Sequence, residues 1–351
     1  MRWIVLVLVV VAVAACASLL GRKPSEPVDG KPAHHRSDGR FVNTDGVAIN
    51  KPFSALLKWR WNAPDVKPLA LPLADNDPDY LRENRSDSTL TWIGHSAFLL
   101  QHRGVNVLTD PHFGERASPV SFAGPKRLVP PGLELDALPD IDFIVISHNH
   151  YDHLDRYTVE ALRDKQTDNP PTWFVPLGQK AWFDDLGVST VVELDWWQSA
   201  PFGEWEITAV PVHHWTSRSP FDRNTVLWAG WVMASDDFRF VHIGDSGYSA
   251  DFKAIGDRLG PFDVAAVPIG AYLPRWFMKA AHMDPAEAVQ VHRDLRATQS
   301  VAMHWGTFML TDEPVDDPPK RLAAALAEAG VDAEEFVVMQ HGETRPLTSA
   351  D

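Results

Sequence analysis

The chain has 351 residues, 45% hydrophobic and 23% charged, a composition typical of a globular protein with a large core. Its formal net charge of −15 argues against nucleic acid as a partner, because the phosphate backbone would be repelled. Electrostatic binding to anionic lipid is disfavoured for the same reason. No short repeat or heptad pattern is present, so one large domain is predicted; the sequence does not determine the oligomeric state.

The first twenty residues have the pattern of a secretory signal. Arg2 precedes an apolar run over residues 4–15, and the run ends at Val13-Ala14-Ala15-Cys16. These four residues resemble a bacterial lipobox, which predicts lipidation of Cys16 and a membrane-anchored lipoprotein of the cell envelope, facing the periplasm or in the outer membrane. The alternative is an uncleaved membrane anchor, because the apolar run extends to Leu20. Cys16 is the only cysteine, so no intramolecular disulfide is expected.

Residues 21–50 are rich in proline, glycine and charged groups, which predicts a flexible linker. His34 and His35 lie within this segment. Weak metal binding by this pair is one interpretation, and a solvated spacer is the simpler one. Apolar periodicity begins near Phe53, so the folded domain is predicted to span residues 51–351.

Within this domain, short apolar strands alternate with turns and a few helices. Strands are predicted over 89–93, 97–101, 105–109, 142–146, 205–212, 226–233, 238–243, 263–269 and 300–303. Helices are predicted over 157–165, 285–296 and 319–329, with Asp284 capping the second and Gly330 ending the third. Since runs of strands flanked by helices occur in each half, we predict an α/β fold in which two mixed β-sheets pack face to face with helices outside, an αββα sandwich.

The strand at 142–146 leads into a loop, Ser147–Asp155, that holds three histidines and two aspartates. Imidazole nitrogens and carboxylate oxygens are the ligands of zinc and related divalent ions. The loop offers enough donors for two metal ions, whereas the alternative is a polar turn with local hydrogen bonds. Three later strands end on His214, Asp245 and His304, and strand ends are where site residues of sheet proteins converge.

These motifs together resemble a metallo-β-lactamase-fold hydrolase and, more narrowly, the N-acylphosphatidylethanolamine-hydrolysing phospholipase D family. The resemblance runs from about Trp92 to the C-terminus. It is carried by His148–Asp155, His214-Trp215, Asn224–Trp228, Gly244–Tyr248, Gly260–Asp263, Pro268–Tyr272, Pro274–Lys279, His304–Phe308 and His341–Glu343. The Pro-Arg-Trp-Phe-Met-Lys and His-Trp-Gly-Thr-Phe stretches distinguish this branch from the wider superfamily.

The resemblance implies two zinc ions held by five histidines and two aspartates. It assigns His148, His150 and His214 to one ion, Asp152, His153 and His304 to the other, and Asp245 to both. Iron or manganese also suits such mixed ligands. The implied reaction is phospholipase D-type cleavage of N-acylphosphatidylethanolamine to N-acylethanolamine and phosphatidate, with Asp152 and Asp245 orienting the attacking hydroxide.

Other residues near these motifs are predicted to support the site or the core. Asp110 is predicted to stabilise the loop Ser147–Asp155 through hydrogen bonds. Asp155 is predicted either to do the same or to cap the following helix. His213 is predicted to have a pocket or structural role, because neighbouring strand residues point to opposite faces. His95 is interpreted as a site residue or a core histidine, and the role of His282 is left open. His102, His242 and His292 are interpreted as structural.

Apolar and basic residues near the metal motifs are candidates for the substrate pocket. Trp215, Trp276, Phe277 and Met278 either line an apolar channel for acyl chains or belong to the core, and Arg275 or Lys279 is expected to meet the phosphate. The same fold and metals also suit a lactone, a thioester or a soluble phosphodiester. A metal-binding lipoprotein without turnover is the hypothesis from another functional class.

Overall fold

The computed structural model of the protein describes residues 25–347, so the predicted signal or anchor segment and Cys16 lie outside the described residues. Two seven-stranded sheets form the fold. The first contains, in chain order, β1 (Thr89–Gly94), β2 (Ala97–His102), β3 (Val105–Thr109), β4 (Phe143–Val145), β5 (Thr172–Pro176), β6 (Val191–Leu194) and β14 (Thr344–Pro346). Their spatial order is β14-β1-β2-β3-β4-β5-β6.

The second sheet is formed by the later half of the chain. It contains β7 (Ser199–Phe202), β8 (Trp205–Val210), β9 (Gly230–Ala234), β10 (Arg239–His242), β11 (Phe262–Pro268), β12 (Ala297–Met303) and β13 (Phe336–Val337). Their order is β13-β12-β11-β10-β9-β8-β7. Each sheet has antiparallel strands followed by a parallel run, β3 to β6 in the first and β10 to β13 in the second.

Eight α-helices occur within residues 25–347. They are α1 (Phe53–Asn62), α2 (Pro78–Glu83), α3 (Arg156–Lys165), α4 (Lys180–Asp184), α5 (Asp251–Leu259), α6 (Arg275–Met278), α7 (Pro285–Leu295) and α8 (Asp317–Ala329). Asp284 caps α7 in a capping box with Glu287, and Gly330 ends α8 in the left-handed conformation, as predicted. In this part of the chain no helix combines the length and apolarity needed to span a membrane.

The strands alternate their side chains between two apolar layers. Leu90 and Trp92 of β1 and Phe98 of β2 pack in the core that is shared with the second sheet. Their neighbours Ile93 and Leu99 pack in a separate cluster, which also contains apolar residues of α3 and α4. Strands buried on both faces require helices outside and a second sheet inside. The predicted αββα sandwich is therefore confirmed.

Most predicted strand and helix positions are correct, but one strand begins later than expected. The prediction started a strand at Val226, whereas β9 begins at Gly230. Leu227 donates its backbone N–H to the carbonyl of Leu177, and Ala229 donates to Ser147. These backbone groups therefore bond to loops of the first sheet rather than to β8, although their side chains are apolar.

The described part of the predicted linker is packed against the domain. His34 and His35 are buried, and their Nε2 atoms lie 2.7 and 2.6 Å from the two carboxylate oxygens of Asp195, just beyond β6. Further along, the buried Asn43 accepts hydrogen bonds from the backbone of His214 and from the indole of Trp228 through its side-chain oxygen. The linker prediction is wrong for this stretch, because composition does not reveal contacts about 160 residues away along the chain.

We expect Asp195→Ala to lower the free energy of unfolding by about 2 kcal/mol, because two buried imidazoles lose their acceptor. Asp236→Ala is the matched control, since Asp236 is exposed and makes no side-chain hydrogen bond with other residues in the range 25–347. Urea unfolding of both variants measures the difference. Equal stability of the two variants would show that the contact with Asp195 does not stabilise the fold.

Candidate metal centre

The histidine-rich loop, Ser147–Asp155, follows β4 and ends at the first turn of α3. Parallel pairing of β3 with β4 places Asp110, the residue after β3, beside Ser147 at the same sheet edge. Asp155 closes the loop: its carboxylate accepts hydrogen bonds from the backbone of Tyr157 and Thr158 at the start of α3 and from Gly114. Asp155 therefore caps the helix, as one of its two interpretations predicted, and its other contact is with the neighbouring loop of Gly114 rather than with the histidine-rich loop.

The second sheet contributes the other residues from the ends of three strands. His214 follows β8, Asp245 follows β10 and His304 follows β12. Gly244 has φ +66°, and a Cβ there would lie 2.5 Å from the Cβ of Ser147. Only glycine therefore lets the loop of Asp245 approach the histidine-rich loop this closely.

A first group of ligand-type atoms is formed by His148, His150, His214 and Asp245. Nε2 of His148 lies 2.9 Å from Nδ1 of His150, and Nε2 of His214 lies 3.3 Å from the same atom. The Asp245 carboxylate is 3.9 Å from His148 and 3.7 Å from His214. Four side chains from both sheets thus point at one small volume.

A second group contains His95, Asp152, His153 and His304. The Oδ2 atom of Asp152 is 3.0 Å from His95, 3.5 Å from His153 and 3.4 Å from His304. Asp245 belongs to both groups, because its carboxylate also lies 3.3 Å from His153 and 3.0 Å from His304. The structure brings together all seven residues that the sequence singles out and adds His95 to them.

Several buried polar atoms at this centre have no hydrogen-bond partner among residues 25–347. They include Nε2 of His150, Nε2 of His153, Nε2 of His304 and Oδ1 of Asp245. The last two atoms lie 3.0 Å apart but are not aligned as a hydrogen bond. Buried polar groups are nearly always paired, and each exception requires an explanation. Unpaired imidazole nitrogens and a carboxylate oxygen that face one another are the donor set of a divalent cation. The residues present therefore fit a metal centre.

The electrostatics of the two groups differ. Burial lowers the pKa of His148 and His214 well below the usual value and lowers the pKa of His150 to about 4, so these imidazoles are neutral at physiological pH. Burial acts in the same direction on His304, but Asp245 and Asp152 raise the pKa of His304 to about 9. The carboxylates of Asp152 and Asp245 therefore favour a positive charge close to them. A proton on His304 supplies this charge, and a metal cation bound there would take the place of the proton.

Asp110 supports the centre through buried hydrogen bonds to the histidine-rich loop. It is fully buried, accepts hydrogen bonds from the backbone and hydroxyl of Ser147, and lies 2.7 Å from Nδ1 of His153. Nε2 of His242 lies 3.0 Å from the same carboxylate. Asp110 thus orients His153 with its Nε2 toward the site, and His242, interpreted from the sequence as structural, helps to position Asp110.

The adjacent histidines after β8 have different surroundings. His214 donates from Nδ1 to the carbonyl of Ala281 at 3.0 Å, which leaves its Nε2 as the lone-pair atom toward the first group. His213 donates to the carbonyl of Ala280 and approaches Asp45 at 3.2 Å. His213 belongs to neither ligand group, and its contacts are structural.

His95, Asp110 and His304 share a strained backbone, with φ values of 55°, 35° and 60°. Non-glycine residues rarely adopt this conformation, and such strain is concentrated at functional sites. His95 is therefore a site residue that sequence reasoning left undecided, and Gly94 before it was the available signal. His282 was also left open; its Nδ1 lies 4.0 Å from Asp245.

A cavity of about 770 Å³ opens beside this centre and includes His150, Asp152, Asp245 and His282 in its lining. Its walls are largely apolar, and its volume is within the range of ligand pockets, roughly 300–1,000 Å³. The apolar walls include Ile49, Phe53, Leu56, Trp59, Trp215, Phe221, Phe277, Met278 and Leu310. Three of the four predicted channel residues thus line it; the fourth, Trp276, is half exposed and lies outside the lining.

Arg275, one of the two residues predicted to meet the phosphate, lies outside the cavity lining. Its guanidinium bonds to Glu287 at 2.6 Å and to the carbonyl of His282 at 2.8 Å, and it lies 3.4 Å from Asp284. These contacts hold the guanidinium beside Asp284 and Glu287 at the start of α7. Lys279, the alternative, is exposed and does not line the cavity either.

The basic residues that do line the cavity were missed by sequence reasoning. They are Arg40, Lys51 and Arg223. Arg223 stacks on Trp215, with its guanidinium carbon 3.9 Å from the ring centre. No motif identifies these positions. Arg40 lies within the predicted linker, and Lys51 lies directly after it.

Comparison with known proteins agrees with this geometry. A family model described as a β-lactamase superfamily domain matches residues 105–305. An N-acyl-phosphatidylethanolamine-hydrolyzing phospholipase D of Caenorhabditis elegans is 45% identical over 267 residues, covering 72% of this chain and 74% of that protein. The mitochondrial enzyme of the same name from Saccharomyces cerevisiae is 34% identical over 291 residues, covering 78% of this chain and 61% of that protein.

Among solved structures, Igni18, a metallo hydrolase from Ignicoccus hospitalis, aligns with a TM-score of 0.55 and 21% identity, over 76% of this chain and all of that one. This likeness shows the shared fold. The family model matches more than half of the chain, and the identities to the phospholipase D relatives cover 72% and 78% of it. The chain therefore belongs to the N-acylphosphatidylethanolamine-hydrolysing phospholipase D family of the metallo-β-lactamase superfamily.

Proposed function

We propose that the centre holds two divalent cations, zinc in the first instance. His148, His150 and His214 would bind one ion, and Asp152, His153 and His304 the other, with Asp245 shared. The observation that supports this assignment is the set of unpaired buried atoms facing one another between the two sheets. Asp110 would raise the basicity of His153 and fix its orientation through the 2.7 Å contact.

Asp110→Asn is expected to weaken metal binding by about 10- to 100-fold, because the amide is a poorer partner for the ring nitrogen of His153. Competition with a fluorescent chelator measures the affinity. Asp236→Asn is the control, since this exposed residue lies outside the centre. An affinity unchanged by Asp110→Asn would remove Asp110 from the metal-positioning network.

We further propose that the protein hydrolyses a lipid phosphodiester, most specifically N-acylphosphatidylethanolamine in a phospholipase D-type reaction. Bound divalent cations would supply hydroxide near neutral pH and neutralise charge on phosphoryl oxygens. Asp152 and Asp245 would orient the attacking hydroxide toward phosphorus. The apolar cavity beside the centre supports a substrate with acyl chains, which would lie along Trp215 and Phe277.

The alternative substrates of this fold are lactones, thioesters and soluble phosphodiesters, and the hypothesis from another class is a metal-binding protein without turnover. A largely apolar cavity at the metal centre favours a lipid over a soluble phosphodiester. A purely structural metal site is closed by its ligands. Here the candidate ligands His150 and Asp152 line an open cavity, which favours catalysis.

Zinc-loaded wild-type protein is expected to release N-acylethanolamine from N-acylphosphatidylethanolamine faster than it cleaves bis-p-nitrophenyl phosphate or a panel of lactones. His214→Ala should lower the rate by at least about 100-fold and reduce bound metal, because His214 is one of the proposed ligands of the first group. Mass spectrometry of the products and elemental analysis of the metal provide the readouts.

The neighbouring variant His213→Ala is the matched control and should keep its bound metal, because His213 bonds only to structural partners. Equal metal loss from both variants would contradict the ligand assignment. Lactone cleavage without lipid cleavage would contradict the phospholipase assignment, and no turnover of any substrate would favour the binding protein.

For localisation, we propose a lipoprotein anchored in the cell envelope through Cys16. The supporting feature is the resemblance of Val13-Ala14-Ala15-Cys16 to a lipobox. Metabolic labelling with a radioactive fatty acid should mark the wild-type chain but not Cys16→Ser. Equal labelling of both, or of neither, would contradict lipidation at this residue.

A further inference from the structure

Another cluster of ligand-type side chains lies outside the metal centre. His34, His35 and Asp195 each place a ring nitrogen or a carboxylate oxygen within 4.8 Å of the other two, and none of them belongs to the two groups of the centre. We call these three residues the N-terminal cluster. All three are buried, with 7 to 8% of each residue exposed, and none lines the cavity. The cluster is therefore separate from the site already described.

Both imidazoles of the cluster direct the same ring atom to one carboxylate. Nε2 of His34 lies 2.7 Å from Oδ1 of Asp195, and Nε2 of His35 lies 2.6 Å from Oδ2. These are the only side-chain hydrogen bonds of the two rings among residues 25–347. No partner of Nδ1 therefore fixes the tautomer, and the form with its proton on Nδ1 presents a lone pair at Nε2. Two imidazole nitrogens and a carboxylate are a set of zinc ligands.

The carboxylate of Asp195 has no permanent cation beside it. Its ion-pairing partners within residues 25–347 are the two histidines, and no lysine or arginine of this range lies within 4.0 Å. Burial raises the pKa of Asp195, but the hydrogen bonds from His34 and His35 outweigh burial, so the pKa lies below its usual value. Histidine is charged only when both ring nitrogens are protonated. A divalent cation supplies the compensating charge that a buried carboxylate requires.

The backbone and the apolar surroundings of the cluster are fixed by local contacts. His35 pairs with Phe41 in an antiparallel bridge, and Val42 donates its N–H to the carbonyl of His34 at 3.1 Å. The ring of Trp196 lies 4.3 Å from that of His34, and the ring of Phe41 lies 5.1 Å from that of His35. Apolar neighbours lower the local dielectric constant, which strengthens the attraction between ligands and a cation.

We propose that His34, His35 and Asp195 form a separate metal site, which binds a divalent cation that accepts nitrogen ligands, zinc in the first instance. Three protein ligands leave the fourth tetrahedral position for water. Zinc holds neighbouring ligand atoms about 3.3 Å apart, so both rings would move back from Asp195 by roughly 0.6 Å. The inference goes beyond the proposed hydrolysis and does not depend on it.

An ion at this site would fasten residues 34–43 to the domain. Asp195 follows β6, whereas the two histidines lie 161 and 160 residues earlier in the chain. The same segment reaches the metal centre, because Asn43 accepts a hydrogen bond from the backbone of His214 and Arg40 lines the cavity. The ion would therefore stabilise a segment that supports His214 and one wall of the cavity, without contacting the substrate.

Zinc titration of the metal-free full-length chain tests the site. The variant is Asp195→Asn, which keeps the size of the side chain and a hydrogen-bond acceptor but removes the carboxylate. His102→Gln is the matched control, because His102 is also buried and lies 3.3 Å from an aspartate, Asp237, but belongs to no ligand group. Native mass spectrometry counts the bound ions, and competition with a fluorescent chelator gives their affinities.

Asp195→Asn should bind one zinc ion fewer than the wild-type protein, whereas His102→Gln should bind the wild-type number. Equal numbers in Asp195→Asn and wild type would overturn the inference. The total is a separate test of the metal centre: fewer than two ions in a folded Asp195→Asn contradicts the dinuclear proposal and leaves hydrogen exchange to decide the N-terminal cluster. Hydrogen exchange also decides if Asp195→Asn fails to fold.

Hydrogen exchange gives a local readout of the same site. Opening of residues 34–42 separates the histidines from Asp195, so a shared ion opposes it. At free zinc ten times the dissociation constant, amide exchange over these residues should slow about tenfold. The slowing should persist in Asp245→Asn, which alters the metal centre, and vanish in Asp195→Asn. Exchange unaffected by zinc in wild type, or slowing that vanishes in Asp245→Asn, would overturn the inference.

Discussion

A buried carboxylate shared by two groups of histidines is the constraint on which the structure depends. Asp245 is almost inaccessible to solvent, and its oxygens lie within 4.0 Å of nitrogens of His148, His153, His214 and His304. A buried carboxylate is costly unless it is compensated by positive charge or hydrogen bonds. The histidines converge on Asp245 from both sheets, so the two halves of the sandwich must pack in one fixed relation.

The fold meets this constraint with parallel strands and close loop contacts. Parallel runs in each sheet bring strand ends to a common edge, and Gly244 lets the two site loops approach. Hydrogen bonds then fix the candidate ligands: Asp110 positions His153, and Asn43 and Ala281 position His214. Residues 34–43 are therefore part of the site architecture, held to the domain by the contact of Asp195 with His34 and His35.

The sequence predicted the fold and singled out the seven residues that the structure brings together, because both have strong local signals. Ligand-type residues follow apolar strands directly, and their spacing within Ser147–Asp155 is dense. Residues whose role depends on distant contacts were missed or misjudged. His95 meets Asp152 only in the folded chain, and the charge of Arg275 is taken up by Glu287 on the next helix. The helix at 53–62 was missed because it has no side-chain cap and only one buried residue.

Anomalous diffraction from crystals of the metal-loaded protein would show whether Asp245 is shared by two ions. We expect two anomalous peaks at this centre in each chain, about 3.5–4 Å apart. One peak should lie among the nitrogens of His148, His150 and His214, the other beside Asp152, His153 and His304, with Asp245 in contact with both. A single peak, or two peaks of which only one contacts Asp245, would contradict a shared carboxylate between two ions.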